Sequence, residues 1–133
     1  MTEREILLVQ QSWSRVENHL NELGERFYES LFEMEPQFQN LFKNDSKKQS
    51  VKFIHFMTIL VSKLHEEAKS DQDLQALAKR HHAYRVEEAY FAKFGVVLMK
   101  TLEEFFQTEW TEELRLAWQN AFVQISGRMV QYM

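Results

Sequence analysis

Residues 23–42 read LGERFYESLFEMEPQFQNLF, and the two halves of that stretch set the fold. Leu23, Phe27, Leu31 and Met34 recur at steps of four, four and three, which places them on one face of a helix. Pro36 then interrupts. Its fixed φ and missing N–H suit the first turn of a new helix rather than the interior of an old one, so a short second helix carrying Phe38, Leu41 and Phe42 is expected.

The same period extends outward in both directions. Upstream, Thr2 and Glu5 make a capping box ahead of Ile6, Val9, Trp13, Val16 and Leu20, which predicts a first helix. Downstream, the polar turn KNDSKK (43–48) leads to a long helix presenting Phe53, Phe56, Met57, Leu60 and Leu64, with Ser46 as its cap and Gln49 in the capping-box position. KSDQD (69–73) breaks the pattern. A shorter helix follows with Leu74, Leu77, Ala78 and His81, and AYRVEE (83–88) changes direction. Two long helices complete the chain: one shows Phe91, Phe94, Leu98, Leu102 and Phe105, the other, capped by Thr111, shows Leu114, Trp118, Phe122, Ile125 and Met129. Three Gly and one Pro in 133 residues leave almost none of the turn chemistry that hairpins require. The class is all-α.

Composition narrows the function. A chain of 133 residues, 44% hydrophobic with eleven Phe, suits one domain spanning 1–133 around one core and therefore one site. The net charge of -4, with neither sign in a long block, argues against nucleic acid as a partner. The absence of cysteine removes disulfides, thiolate catalysis and cysteine-ligated metals. Any metal must be held by His, carboxylate or a cofactor. MTEREILLVQQSW carries no apolar leader and no window could span a bilayer, so a soluble cytoplasmic protein with no membrane partner is expected. Gly24, Gly95 and Gly127 each fall inside a helical pattern at a cost of about 1 kcal/mol relative to Ala, and a close helix crossing would compensate.

His81 lies near the centre of the apolar face defined by Leu74, Leu77 and Ala78, while His82 falls on its flank. A histidine so placed is either a core residue satisfied by a carbonyl or a metal ligand. Tyr28 in the second helix and Gln49 in the long central helix supply polar groups beside large aromatics, and Gln49 lies one turn before Phe53 on the same face.

At these residues the sequence resembles the globin family, in particular bacterial single-domain globins, the globin part of flavohaemoglobins and neuroglobin. The matching segments are LGERFYESLF, EPQFQNLF, QSVKFIHFMTILV, LAKRHHAYRV, YFAKFGVVLMKTL and AWQNAF, together with Trp13. The resemblance implies a globin fold, helices A–H in a three-on-three sandwich around haem b (iron protoporphyrin IX). By position it implies His81 as the proximal iron ligand, Phe42 as the aromatic on the haem face, and Tyr28, Gln49 and Phe53 as the distal pocket. Val86 corresponds to a proximal porphyrin contact, and Lys52 either to a basic residue near a propionate or to a solvated lysine.

The implied ligands are dioxygen, nitric oxide and carbon monoxide. Dioxygen in such a pocket acquires partial negative charge, so the Tyr28 O–H and Gln49 NH₂ would retain it strongly and release it slowly. Scavenging of nitric oxide with an external reductase is then one reading. Storage or sensing of a diatomic gas without turnover is the alternative, and a haem-free interaction module a third. His55 projects away from the Gln49/Phe53 face, which disfavours histidine at the sixth position, whereas a Tyr28 phenolate there is left open. Phe91 stands where flavohaemoglobins carry a Tyr that orients the proximal histidine, which implies a weaker electronic push. No flavin or nicotinamide domain is read in this sequence.

Overall fold

The computed structural model describes residues 1–41, 46–65, 79 and 88–131. Those residues form five α-helices: α1 (Glu3–Arg15), α2 (Leu20–Met34), α3 (Ser46–Ser62), α4 (Glu88–Phe106) and α5 (Glu112–Gln131). Short 3₁₀ turns stand at Glu17–His19, Pro36–Leu41 and Gln107–Glu109. The shorter helix expected around Leu74–His81 lies outside the described residues, as do Phe42, His81 and Val86. Among the described residues, no helix is long and apolar enough to cross a membrane.

The local signals account for most of the boundaries. Thr2 accepts from the Glu5 N–H at 3.1 Å while Glu5 accepts from the Thr2 N–H at 3.0 Å, so the capping box is reciprocal. Thr111 caps α5 by accepting from the Leu114 N–H at 3.1 Å. Pro36 opens a helical segment as expected, in the tighter 3₁₀ form. Ser46 is the first residue within α3, one position inside the cap that the spacing assigns to it.

Two expectations change. The first apolar stripe does not run through one helix to Leu20: α1 ends at Arg15, Val16 leaves helical geometry at φ -95 and ψ 6, and Leu20 opens α2. Val16 is nevertheless 1% exposed, because the turn still directs it inward, and so the 3.6-residue pattern persists across the bend. Met34, at the end of the second stripe, is 41% exposed, and Phe38 from the following turn is buried instead.

α2 packs against α3 and α4, α4 along α5, and α1 against both α5 and α3, so the helices close a ring around one core. Leu23, Leu31, Leu98, Leu102, Trp118 and Val9 are all but inaccessible to solvent within it. Each buried large aliphatic side chain contributes about 1.5–3 kcal/mol of transfer free energy. Trp13 and Trp118 meet at 5.8 Å between ring centroids, where α1 crosses α5. Their indole N–H groups are both satisfied, Trp13 donating to Thr58 Oγ1 at 3.0 Å and Trp118 to Ser12 Oγ at 2.9 Å. The same two helices are tied at the surface by Arg4 with Glu113 and by Asn120 with Glu5, exposed contacts that orient more than they stabilise.

The glycines separate into three cases. At Gly24 an added Cβ would lie 3.0 Å from Ile54 Cγ1 and 3.1 Å from the Ser50 carbonyl oxygen, so α2 and α3 cross backbone to backbone here. At Gly95 the neighbour is the ring of Phe122, 2.7 Å from the same imagined atom, a side-chain contact between α4 and α5. Among the described residues, Gly127 has nothing within 4 Å of an added Cβ and marks no crossing.

Candidate functional site

One turn beyond the Gly24/Ser50 crossing, α2 and α3 bring their aromatic residues together. Phe27 from α2 and Phe53 from α3 stack with centroids 4.4 Å apart and planes 2° from parallel. Tyr28 stands edge-on to both rings, 5.2 Å from Phe27 at 80° and 5.9 Å from Phe53 at 81°. Phe32, one turn further along α2, lies 5.9 Å from Tyr28. Such edge-to-face geometry sets the electropositive rim of one ring against the electron-rich face of another. The family resemblance assigns Tyr28 and Phe53 to one pocket, and in the structure the two rings meet. The Phe27 stack across it was not visible, because it depends on how deeply α2 settles onto α3 at Gly24.

Tyr28 is 7% exposed, and burial pushes its phenol well above the ordinary range by penalising the phenolate. It is therefore a neutral O–H group and a hydrogen-bond donor. Gln49 is half-buried on α3, one turn before the half-buried Phe53, and carries an amide. Lys52 and His55 are both exposed, Lys52 next to Phe53 in sequence and His55 beyond it. The exposure of His55 agrees with its expected projection away from the Gln49/Phe53 face.

α3 thus presents two faces. Ser50, Ile54 and Val61 are buried against the rest of the fold, whereas on the neighbouring stripe Phe53, Phe56 and Met57 are large apolar side chains left only half-covered, with Leu60 buried beyond them. An apolar face of this kind, with a neutral phenol and a half-buried amide at one end, suits a flat apolar group with a small polar ligand: haem fits the residues present. On the α4 side, Phe38 packs against Tyr90 at 4.8 Å and Phe94 at 5.1 Å, with Lys93 bridging to Glu35 at 3.5 Å. Phe91 is buried and meets Phe94 edge-on at 6.0 Å.

This helical arrangement has close counterparts among known proteins. The globin family profile matches residues 25–129, and the chain belongs to the globin family. A bacterial globin from Campylobacter jejuni superimposes with a TM-score of 0.88 at 17% sequence identity, over 98% of this chain and 95% of that one. Flavohemoprotein B of Dictyostelium discoideum is 26% identical over 125 residues, which are 92% of this chain and 29% of that protein. This chain therefore spans less than a third of that relative's length. An anaerobic nitrite reductase of Casuarina glauca is 26% identical over 136 residues, covering 91% of this chain and 85% of its own length. Membership of the globin family supports a haem-binding, gas-binding function.

Proposed function

We propose that this globin holds haem b, binds dioxygen tightly with slow release, and converts nitric oxide to nitrate with electrons from an external reductase. The observation that carries the proposal is the buried, neutral Tyr28 phenol set edge-on to Phe53, with the Gln49 amide one turn away on α3. In the reaction nitric oxide, dioxygen and one electron combine to give nitrate. The haem, when bound, supplies an iron centre for the diatomic ligand.

The protein's own residues perform the remaining tasks. His81 would hold the iron through its imidazole, Phe42 and Val86 would pack on the macrocycle, and Lys52 would lie near a propionate. Phe27, Phe32 and Phe53 exclude water from the distal side. Tyr28 donates its O–H to a ligand that gathers negative charge and Gln49 adds an amide N–H, each such bond contributing on the order of 1.5–3 kcal/mol. A neutral ligand such as carbon monoxide gains much less, so the pocket favours dioxygen. Phe91 has no hydroxyl with which to orient an imidazole, so the proximal side exerts less push than a Tyr would give.

The test is stopped-flow mixing of the dioxygen-loaded protein with nitric oxide, with and without a reductase. Sustained nitrate formation supports scavenging, and a single turnover that no reductase prolongs leaves storage as the function. A second reading comes from the plant relatives named anaerobic nitrite reductases, one from Casuarina glauca and one from Gossypium hirsutum. Nitrite reduction at the same site would be seen as nitric oxide release without dioxygen. A colourless protein after expression with haem supply would remove both readings.

A further inference from the structure

The Phe27–Phe53 stack has a geometry that hydrophobic burial alone does not demand. Apolar burial is non-directional, yet these rings are parallel to within 2° at 4.4 Å. Their planes belong to different helices, so the stack fixes the rotation of one side chain by that of another. Tyr28, next to Phe27 in sequence, meets the same two rings edge-on. Three rings from two helices therefore constrain each other, and only Tyr28 carries a polar group.

The members differ in freedom. Phe27 is 5% exposed and Tyr28 7%, both held in α2, while Phe53 is only half-buried. A half-buried Phe without a stacking partner would be free to change rotamer about its own χ angles. The ring that borders Tyr28 on the α3 side would then no longer have a fixed position. Gly24 and Ser50, three residues before Phe27 and Phe53 respectively, set the helix separation that allows the stack.

We propose that Phe27 is a positioning residue for the distal pocket: by stacking on Phe53 it holds that ring edge-on to Tyr28 and so fixes the direction of the Tyr28 hydroxyl. Phe27 acts only through its two neighbours. The inference rests on the reading of Tyr28 as the hydrogen-bond donor to the ligand, and it gives Phe27 a role beyond the exclusion of water.

The experiment is a double-mutant cycle on the haem-loaded protein with Phe27→Leu, Phe53→Leu and the pair, alongside Phe27→Tyr as the conservative variant. Two measurements are made on each: the dioxygen dissociation rate, and the carbon–oxygen stretching frequency of the carbon monoxide complex, which reports the field of the Tyr28 hydroxyl. A third, on the diamagnetic carbon monoxide complex, follows the Tyr28 and residue 53 ring protons by NMR. Phe27→Leu is expected to speed dissociation at least fivefold and shift the stretch, to displace the Phe53 ring-proton resonances, and to add nothing further when Phe53 is already Leu. Phe27→Tyr keeps a flat ring and should restore the native values. Should Phe27→Leu fail to fold, Phe27→Met takes its place with the same expectations.

Additive effects in the cycle, or unaltered Phe53 and Tyr28 resonances in Phe27→Leu, would overturn the proposal even if Tyr28→Phe speeds dissociation. Conversely, if Tyr28→Phe leaves dissociation unchanged while Phe27→Leu still displaces the rings, the donor reading fails and the positioning geometry stands.

Discussion

Replacing each of the three helical glycines by alanine gives a series in which one chemical change meets three different surroundings. Alanine is favoured over glycine in a helix interior by about 0.8–1.0 kcal/mol, so that gain is common to all three sites. At Gly127 an added methyl meets nothing within 4 Å, and the full gain of about 1 kcal/mol should appear as stabilisation. At Gly24 the methyl would sit 3.1 Å from a backbone carbonyl and 3.0 and 3.2 Å from Ile54 and Ser50 side-chain atoms. The carbonyl belongs to α3 and can yield only if the helix moves. Overpacking of this kind costs about 1–3 kcal/mol, which leaves Gly24→Ala about 0–2 kcal/mol less stable than the parent.

Gly24→Ala and Gly127→Ala should therefore differ by about 1–3 kcal/mol, the overpacking cost itself. Urea unfolding at one fixed haem saturation measures this, because bound haem otherwise contributes to the apparent stability. If the Gly24 variant is stabilised as much as the Gly127 variant, α2 and α3 do not cross as tightly as the distances indicate. Gly24→Ala should also change dioxygen dissociation, since a displaced α2 carries Tyr28 and Phe27 with it, whereas Gly127→Ala should leave that rate alone.

Tyr28→Phe is expected to speed dioxygen dissociation by about tenfold or more, equivalent to about 1.4 kcal/mol of lost ligand stabilisation; flash photolysis in a dioxygen/carbon monoxide mixture reads this directly. Because burial raises the Tyr28 phenol, the folded state binds its proton more tightly than the unfolded chain does. That contribution is fully present below about pH 10, the unfolded phenol value, and declines as pH rises beyond it, so the alkaline fall in stability should be shallower in Tyr28→Phe. Ser12→Ala strands the buried indole N–H of Trp118 and should cost about 1–3 kcal/mol in chemical unfolding, with little change in ligand kinetics. His81→Gly should weaken haem retention, with partial recovery on adding imidazole, while His82→Gly should not; spectrophotometric haem transfer to an acceptor protein distinguishes the two.

The amino-acid sequence by itself determined the all-α class, the reciprocal cap at Thr2 and Glu5, the stop and restart around Pro36, and the sharing of one α3 face by Gln49 and Phe53. These are local properties: a 3.6-residue period, a cap and a proline act over a few residues, so they are legible in one dimension. The tertiary structure decided what depends on the approach of two helices. The apolar period continued across the end of α1, because a buried Val16 in a turn keeps the phase of a helix, and only the backbone reveals the bend. The three glycines look alike in sequence, yet one meets a backbone, one a ring and one open space. The stripe read from Phe53, Phe56, Met57, Leu60 and Leu64 is buried at Leu60 and Leu64 but only half-covered at its first three members, while Ser50, Ile54 and Val61 form a second buried row, because α2 crosses on that side. The Phe27–Phe53 stack needed both facts together, the small residue that lets the helices meet and the side chains one turn beyond it.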